Sequence, residues 1–225
     1  MVAHDSTDVR PDARRLPGSS AAKLDSMRGR SGFVGDMMHR LGVEIGLRCN
    51  GSFYYPSEDR SILECLIIPY FQVSAEHEHI LFVGADWYTQ GYARMFGRKQ
   101  FATIDASPAA ARYGASHHVI DSMQTVGRHF RPESLDLLVC NGVIGWGLDR
   151  AEDADLAFDA AFRCLRPGGH FIVGWNDLEG HRPFRLSSLA NIGRFEAWVF
   201  PPLDSCQHPV DNAWRHVFNF YRKPV

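Results

Sequence analysis

From Ile80 onward, short apolar runs alternate with segments in which apolar residues recur at helical spacing. That is the pattern of βαβ units laid on a mostly parallel sheet. Strands are expected at Ile80–Val83, Phe101–Ile104, His117–Ile120, Leu135–Cys140 and His170–Gly174, with helices at Thr89–Phe96, Pro108–Tyr113 and, longest, Ala151–Leu165. In the longest, Ala154, Ala157, Phe158, Ala161, Phe162 and Leu165 share one helical face. Two later runs, Phe195–Phe200 and His216–Tyr221, carry aromatic and β-branched residues and read as strands. Between them Pro201, Pro202 and Pro209 argue for a loop and against a crossover helix. The last pair is therefore expected to close the sheet as an antiparallel hairpin. The fold class is α/β: a three-layer sheet of about seven strands, mostly parallel.

The region before Ile80 has a different texture. Residues 1–32 contain no aromatic side chain and are rich in Arg, Asp, Ser, Gly and Ala, so they bury too little surface to offset chain entropy and are expected to form a mobile tail. Residues 33–79 read as a helical cap segment, in which Pro56, Ser57, Glu58 and Asp59 resemble a helix entrance. Ile62, Leu63, Leu66 and Ile67 form its apolar stripe, and the helix is expected to run to about Pro69, ahead of a polar hinge at Ala75–His79. Residues 80–225 then form the main domain.

Composition narrows the classes of function. With 24 Lys plus Arg against 26 Asp plus Glu, the net charge of −2 gives no general attraction to a polyanion, so nucleic acid is not the expected partner. The five cysteines are scattered without CxxC spacing, which argues against both a zinc cluster and a disulfide framework. His77 and His79 alternate with glutamates, but two alternating ligands do not make a metal site, and no metal is expected. No run of 18 apolar residues and no signal-like apolar core occur, so a cytoplasmic protein without a membrane partner is expected. A homo-oligomer is compatible with the sequence.

In an open parallel sheet ligands bind at the carboxyl ends of the strands. After the first strand come Gly84, Ala85, Asp86, Trp87 and Tyr88, where Gly84 lets the backbone approach a ligand. After the second stand Asp105 and Ala106; Asp105 lies 21 positions beyond Gly84, the spacing at which a carboxylate reaches the paired hydroxyls of a ribose. Asp121, Ser122 and Met123 follow the third strand, and Asn141 and Gly142 the fourth. Plainer readings exist: Gly84 as a simple turn, and Asp105 as a cap for the following helix.

These residues resemble those of the class I S-adenosyl-L-methionine (SAM) dependent methyltransferases over about residues 80 to 222. Ile80-Leu81-Phe82-Val83-Gly84 is similar to the family's first motif and Thr103-Ile104-Asp105-Ala106-Ser107 to its second. Asp121, a polar loop and Leu135–Val139 resemble the stretch from the adenine-contacting acid into the fourth strand, and Leu165-Arg166-Pro167-Gly168-Gly169 resembles the turn into the fifth. The resemblance implies a Rossmann-like domain, SAM as cofactor and roles by position. Gly84, Ala85 and Asp86 would line the methionine end of SAM, Asp105 would hold the ribose, Asp121 with Ser122 and Met123 the adenine, and Asn141 with Gly142 the sulfonium side. The chain departs from the family where the first motif carries an acid and two further glycines; those places hold Phe82, Asp86 and Tyr88. Asp86 is the residue that could replace the missing acid.

The expected reaction is methyl transfer to a small-molecule acceptor, by positioning and with general-base help where the acceptor needs it. His181, in the loop after the fifth strand, is the candidate base, with an exposed loop histidine as the plainer reading. Tyr54, Tyr55, Trp146 and Trp175 are the candidate acceptor-binding rings, or else fillers of the seam beside the N-terminal segment. The rival readings are a catalytically silent SAM-fold binding protein and an NAD-dependent oxidoreductase, the latter without the G-x-G-x-x-G loop.

Overall fold

The structure is a computed structural model that describes residues 57–225. Tyr54 and Tyr55, the expected tail 1–32 and residues 33–56 of the expected cap segment lie outside the described residues.

Ser57 stands at the N-cap of helix α1, Glu58–Ile62, with Glu58 and Asp59 in its first turn, where acids favour the positive helix end. Its hydroxyl bonds the Asp59 carboxylate and caps no backbone N–H. The helix does not stop at Pro69. A π-helical turn, Leu63–Ile67, leads without a break into α2, Ile68–Val73, with Pro69 in its first turn. A helical proline has no N–H to give and presses on the carbonyl four residues back; a wider turn just ahead of it relieves both conflicts. The extra residue turns the stripe by roughly 100°, so Leu63, Ile67, Ile68 and Phe71 are buried while Leu66 is 37% exposed.

The elements that follow are β1 His79–Val83, α3 Tyr92–Met95, β2 Gln100–Asp105, β3 His117–Ile120, α4 Val126–His129, β4 Leu135–Asn141, α5 Ala151–Cys164, β5 Leu165–Asn176, β6 Glu196–Ala197, β7 Gln207–Pro209 and β8 His216–Arg222. The sheet order is β3-β2-β1-β4-β5-β8-β6, with β7 also on β8. β1 to β5 are parallel, and β8 runs antiparallel to β5 from His170↔Arg222 to Asn176↔His216. Within this frame the helix expected over Thr89–Phe96 shortens to Tyr92–Met95, and Pro108–Tyr113 is a 3-10 helix. The expected loop 201–212 is not all loop: β7 pairs with β8 beyond the two-residue β6, so one edge of β8 carries both short strands. Pro201 and Pro202 sit in a 3-10 turn between them, and Pro209, at the end of β7, stands where a missing donor costs least.

Alternation along the strands divides the core into two layers. Leu81, Val83, Leu138, Cys140, Phe171 and Val173 pack with the α5 face of Ala154, Ala157, Phe158 and Ala161. Ile80, Phe82, Leu137, Val139 and Ile172 pack on the other side with Leu63, Ile67, Phe71, Tyr92 and Phe96. Burial on both faces is what a parallel sheet requires.

One carboxylate ties the amino-terminal edge together. Asp136 accepts the Glu78 and His79 N–H groups at 2.9 and 2.7 Å and the Arg166 Nε at 2.7 Å. These donors outweigh the opposing effect of burial and hold its pKa below the usual carboxylate range. Helix α5 ends at Cys164, ahead of Pro167, because the residue before a proline is driven into extended backbone. Gly168 then adopts φ +74°, and a Cβ on Gly169 would lie 2.9 Å from the Arg166 carbonyl. Among the described residues no helix is long and apolar enough to cross a membrane.

Candidate functional site

The strand order reverses between the neighbours β1 and β4, and the crevice at such a point is where open α/β sheets take ligands. Gly84, directly after β1, has φ +90°, and a Cβ there would meet Val143 Cγ2 at 3.2 Å. Its neighbour Ala85 donates its N–H to Asp105 Oδ2 at 2.9 Å, and Ser107 donates to Asp105 Oδ1 at 2.7 Å. The half-buried carboxylate thus ties together the loops after β1 and β2 while each oxygen keeps a second lone pair for a ligand hydroxyl. The plainer reading, Asp105 organising the turn into the 3-10 helix, is present in the same geometry through Ser107. Ala106 is exposed beside it.

The bulky residues of the first loop do not crowd Gly84. Asp86 accepts the Trp87 N–H at 2.7 Å and exchanges bonds with Thr89. Trp87 is buried, and Tyr88 lies under the Arg60 guanidinium, 4.1 Å from its ring centre. Arg60, buried on α1, also donates to the Tyr92 hydroxyl, which donates to Glu64 at 3.0 Å. Burial pushes the Tyr92 phenol well above its ordinary range, with Glu64 adding and Arg60 opposing. This Arg60–Tyr92–Glu64 chain bridges α1, the π turn and α3, and was not anticipated; helical periodicity marks these positions only as helix.

After β3, Asp121 receives the Ser122 N–H at 2.8 Å, and its other oxygen is 2.8 Å from His129 Nε2. The His129 bond first, then Thr125 and Ser122, hold the carboxyl down to about 2. Its own N–H reaches the Asp105 carbonyl at 3.1 Å, so the two acids stand on adjacent strand ends. Met123, expected over the adenine ring, is buried in the core layer with Val126.

At the end of β4, buried Asn141 has its Oδ1 3.1 Å from His216 Nε2, and His216 Nδ1 is 2.8 Å from Asn176 Oδ1. Burial, reinforced by Arg60 and opposed by Asp59, holds His216 down to about 4. A neutral imidazole donates through one nitrogen and accepts through the other, so one of the two asparagines turns its NH2 group to the ring. Gly142 is exposed at φ +71°, with nothing within 4 Å of the place of a Cβ. His216 escaped the sequence reading because it begins an antiparallel strand, whose first residue, not its last, meets this edge.

The aromatic residues divide. Trp146, after β4, is 54% exposed; its ring stacks on His181 at 4.9 Å and 20°. Trp214, just before β8, is 41% exposed and stands steeply to both rings, 6.0 Å from Trp146 and 5.3 Å from His181. Trp175, expected beside the acceptor, is instead a core residue whose Nε1 donates to Asn219 at 2.9 Å. It falls within β5, where the alternation turns it into the layer below. His181 Nδ1 is buried without a hydrogen-bond partner. His77 and His79 do not pair. His77 bonds His170 at 2.8 Å, and His79 Nδ1 lies 3.3 Å from Asp136. Among the described residues no group of three His, Cys, Asp or Glu could hold a metal ion.

A family described as a methyltransferase domain matches residues 83–173, which span β1's end to the middle of β5 and decide against the nicotinamide alternative. None of the curated proteins matches the sequence. Among solved structures, the N-methyltransferase NodS from Bradyrhizobium japonicum WM9 bound to S-adenosyl-L-homocysteine is similar at a TM-score of 0.59 and 14% identity, over 83% of this chain and 98% of that one. A protein from Pyrococcus horikoshii OT3 is similar at 0.51 and 14% identity, over 79% and 97% of the two chains. A SAM-dependent methyltransferase from Archaeoglobus fulgidus is similar at 0.50 and 10% identity, over 80% and 98%. At these identities the likeness is one of fold.

Proposed function

We propose, from the match of residues 83–173 to a methyltransferase domain, that the protein is a SAM-dependent enzyme that methylates a small-molecule acceptor at the carboxyl edge of β1 and β4. The observation that carries the cofactor's place is Asp105, joined to Ala85 and Ser107 beside Gly84 at the reversal of strand order. In this reading Asp105 takes the ribose hydroxyls, Gly84, Ala85 and Asp86 line the methionine end, Asp121 and Ser122 meet the adenine, and Asn141 with Gly142 flank the sulfonium. Trp87 and Met123, both buried, shape this pocket from behind, and Tyr88 and Ala106 border it.

Bound SAM supplies a methyl group on a cationic sulfur, which leaves as neutral S-adenosyl-L-homocysteine when the acceptor's lone pair bonds the methyl carbon. The protein's part is to align the acceptor and exclude water. His181, in the loop after β5 at the carboxyl edge, is the base for an acceptor that must lose a proton. The near-neutral charge supports a small acceptor over a nucleic acid. The replacement of the usual acid and glycines by Phe82, Asp86 and Tyr88 favours the second reading, a silent protein that binds SAM without transfer.

Titration calorimetry with S-adenosyl-L-homocysteine tests the site. Asp105→Asn is expected to weaken binding about tenfold or more. Asp86→Asn is expected to weaken it as well; unchanged affinity there assigns Asp86 to loop structure alone. Unchanged affinity in Asp105→Asn would sink the ribose assignment. A labelled-SAM screen over small molecules and RNA then separates the readings: tight binding with no transfer to any acceptor favours the silent protein, and label in RNA overturns the small-molecule acceptor.

A further inference from the structure

We propose that His129 is a positioning residue that fixes the Asp121 carboxylate to accept the exocyclic amino group of adenine, and so decides which nucleobase the cofactor site admits. The proposal rests on the SAM-binding reading above and adds to it the residue that makes the site selective for adenine over a 6-oxo purine.

The chain brings the pair to the proposed cofactor edge. β2 and β3 run parallel with Asp105 beside Ile120, and the next residue, Asp121, donates its N–H to the Asp105 carbonyl at 3.1 Å. Neighbouring strands are about 4.8 Å apart, so both acids fall within the length of one nucleoside. His129 closes α4, Val126–His129, whose first residue is buried in the core layer together with Met123. The Thr125 hydroxyl donates to the Ser122 carbonyl at 2.7 Å, and the Phe130 N–H to the Val126 carbonyl at 3.0 Å. The segment after Asp121 is therefore anchored from below, and it returns His129 to the acid eight positions back in the chain.

The bond between them has a definite direction. A carboxylate only accepts, so His129 Nε2 carries the hydrogen and donates it to Asp121 Oδ2 at 2.8 Å. The Ser122 N–H holds the other oxygen, also at 2.8 Å. One bond alone would leave the carboxylate free to turn; two hold its plane, and each oxygen keeps a lone pair. The His129 bond is also first among those that hold the acid down to about 2, so it stays an acceptor and never a donor. An adenine amino group donates to such a lone pair, whereas the 6-oxo group of hypoxanthine brings a second acceptor and leaves both unpaired. Stability does not account for the pair: the two side chains are 32% and 29% exposed, and a contact so placed contributes little to folding.

Titration calorimetry on the full chain compares S-adenosyl-L-homocysteine with S-inosyl-L-homocysteine, in which an oxo group replaces the 6-amino group. The wild-type protein is expected to bind the adenosine compound about tenfold or more tighter. Asp121→Asn, whose amide also offers a donor, is expected to abolish or reverse the preference. His129→Ala is expected to narrow it to about threefold or less, while His129→Gln, whose amide nitrogen stands where Nε2 does, keeps most of it. Melting temperatures of both His129 variants are expected within about 3 °C of wild type, as for an exposed pair, which separates lost selectivity from lost folding. Equal binding of the two compounds by the wild-type protein overturns the proposal and leaves the SAM-binding reading standing. A His129→Ala variant that loses affinity for both compounds equally, or that binds S-adenosyl-L-homocysteine more tightly than wild type, overturns the role of His129. Failure of the wild-type protein to bind S-adenosyl-L-homocysteine at all overturns the SAM-binding reading and the proposal with it.

Discussion

Gly174, inside β5, shows how one missing methyl group shapes the site. A Cβ there would fall 1.7 Å from Asn141 Oδ1 and 2.8 Å from His216 Nε2. Its backbone makes no demand for glycine; the space above it does. Gly174→Ala is expected to push apart the bond between Asn141 and His216, lowering stability by about 1–3 kcal/mol and weakening S-adenosyl-L-homocysteine binding. Urea melts and calorimetry on the same variant read the two effects. A variant with wild-type stability and affinity would mean that Asn141 moves aside freely and is not held for the ligand. Asp105 and Asp121 stand differently: each is engaged by main-chain donors, so each would act on a ligand through the lone pairs that remain.

At the scale of elements, the start of β1, the second residue of β4 and the turn into β5 meet at Asp136. It satisfies two main-chain N–H groups that no strand neighbour takes, and it faces Arg166. Asp136→Asn keeps the shape but turns one charge-assisted acceptor into a donor facing Arg166. It is expected to cost about 2–3 kcal/mol, measured by urea denaturation, with cofactor affinity little changed because Asp136 lies at the opposite edge from Gly84. The helix pair α1 and α2 makes the complementary point. The apolar stripe and the entrance at Ser57 to Asp59 announce a helix, while the π turn that lets it pass Pro69 depends on packing Leu63, Ile67 and Phe71 into the layer over β1. A pattern read at 3.6 residues per turn cannot foresee a change of phase.

Across the whole molecule, buried histidines set the response to acid. Burial, aided by His77, Arg222 and Arg166, holds His170 down to about 3, and burial holds His216 down to about 4. An unfolded histidine titrates near pH 6.5, so between about 6.5 and 4 the unfolded chain binds protons that the native state refuses. Stability is therefore full above that window and falls as pH drops through it, by about 2 kcal/mol per histidine at pH 5. Asp121, depressed to about 2, contributes in the same sense at lower pH: its share is present above the ordinary carboxylate range and is lost as pH falls below it. His170→Phe, which keeps a ring against Phe71 and Trp198, is expected to shrink the difference in melting temperature between pH 7 and pH 5. An unchanged difference would show that His170 does not set the slope.

What the sequence determined by itself was the alternation that builds the sheet. The five parallel strands, the long helix α5 and the final antiparallel strand were legible because a period of two or of 3.6 residues is written in adjacent positions. The residues at the carboxyl edge, Gly84, Asp105, Asp121 and Asn141, were legible for the same reason: each follows a strand that the pattern marks. The tertiary structure alone decided the rest. It set His216 against Asn141, 75 positions away in the chain, brought Trp214 beside Trp146, turned Trp175 into the core, and added β7 to the edge of β8. These depend on which strands become neighbours and on which face a side chain lands. Local periodicity leaves that choice open, and only the packing of distant segments makes it.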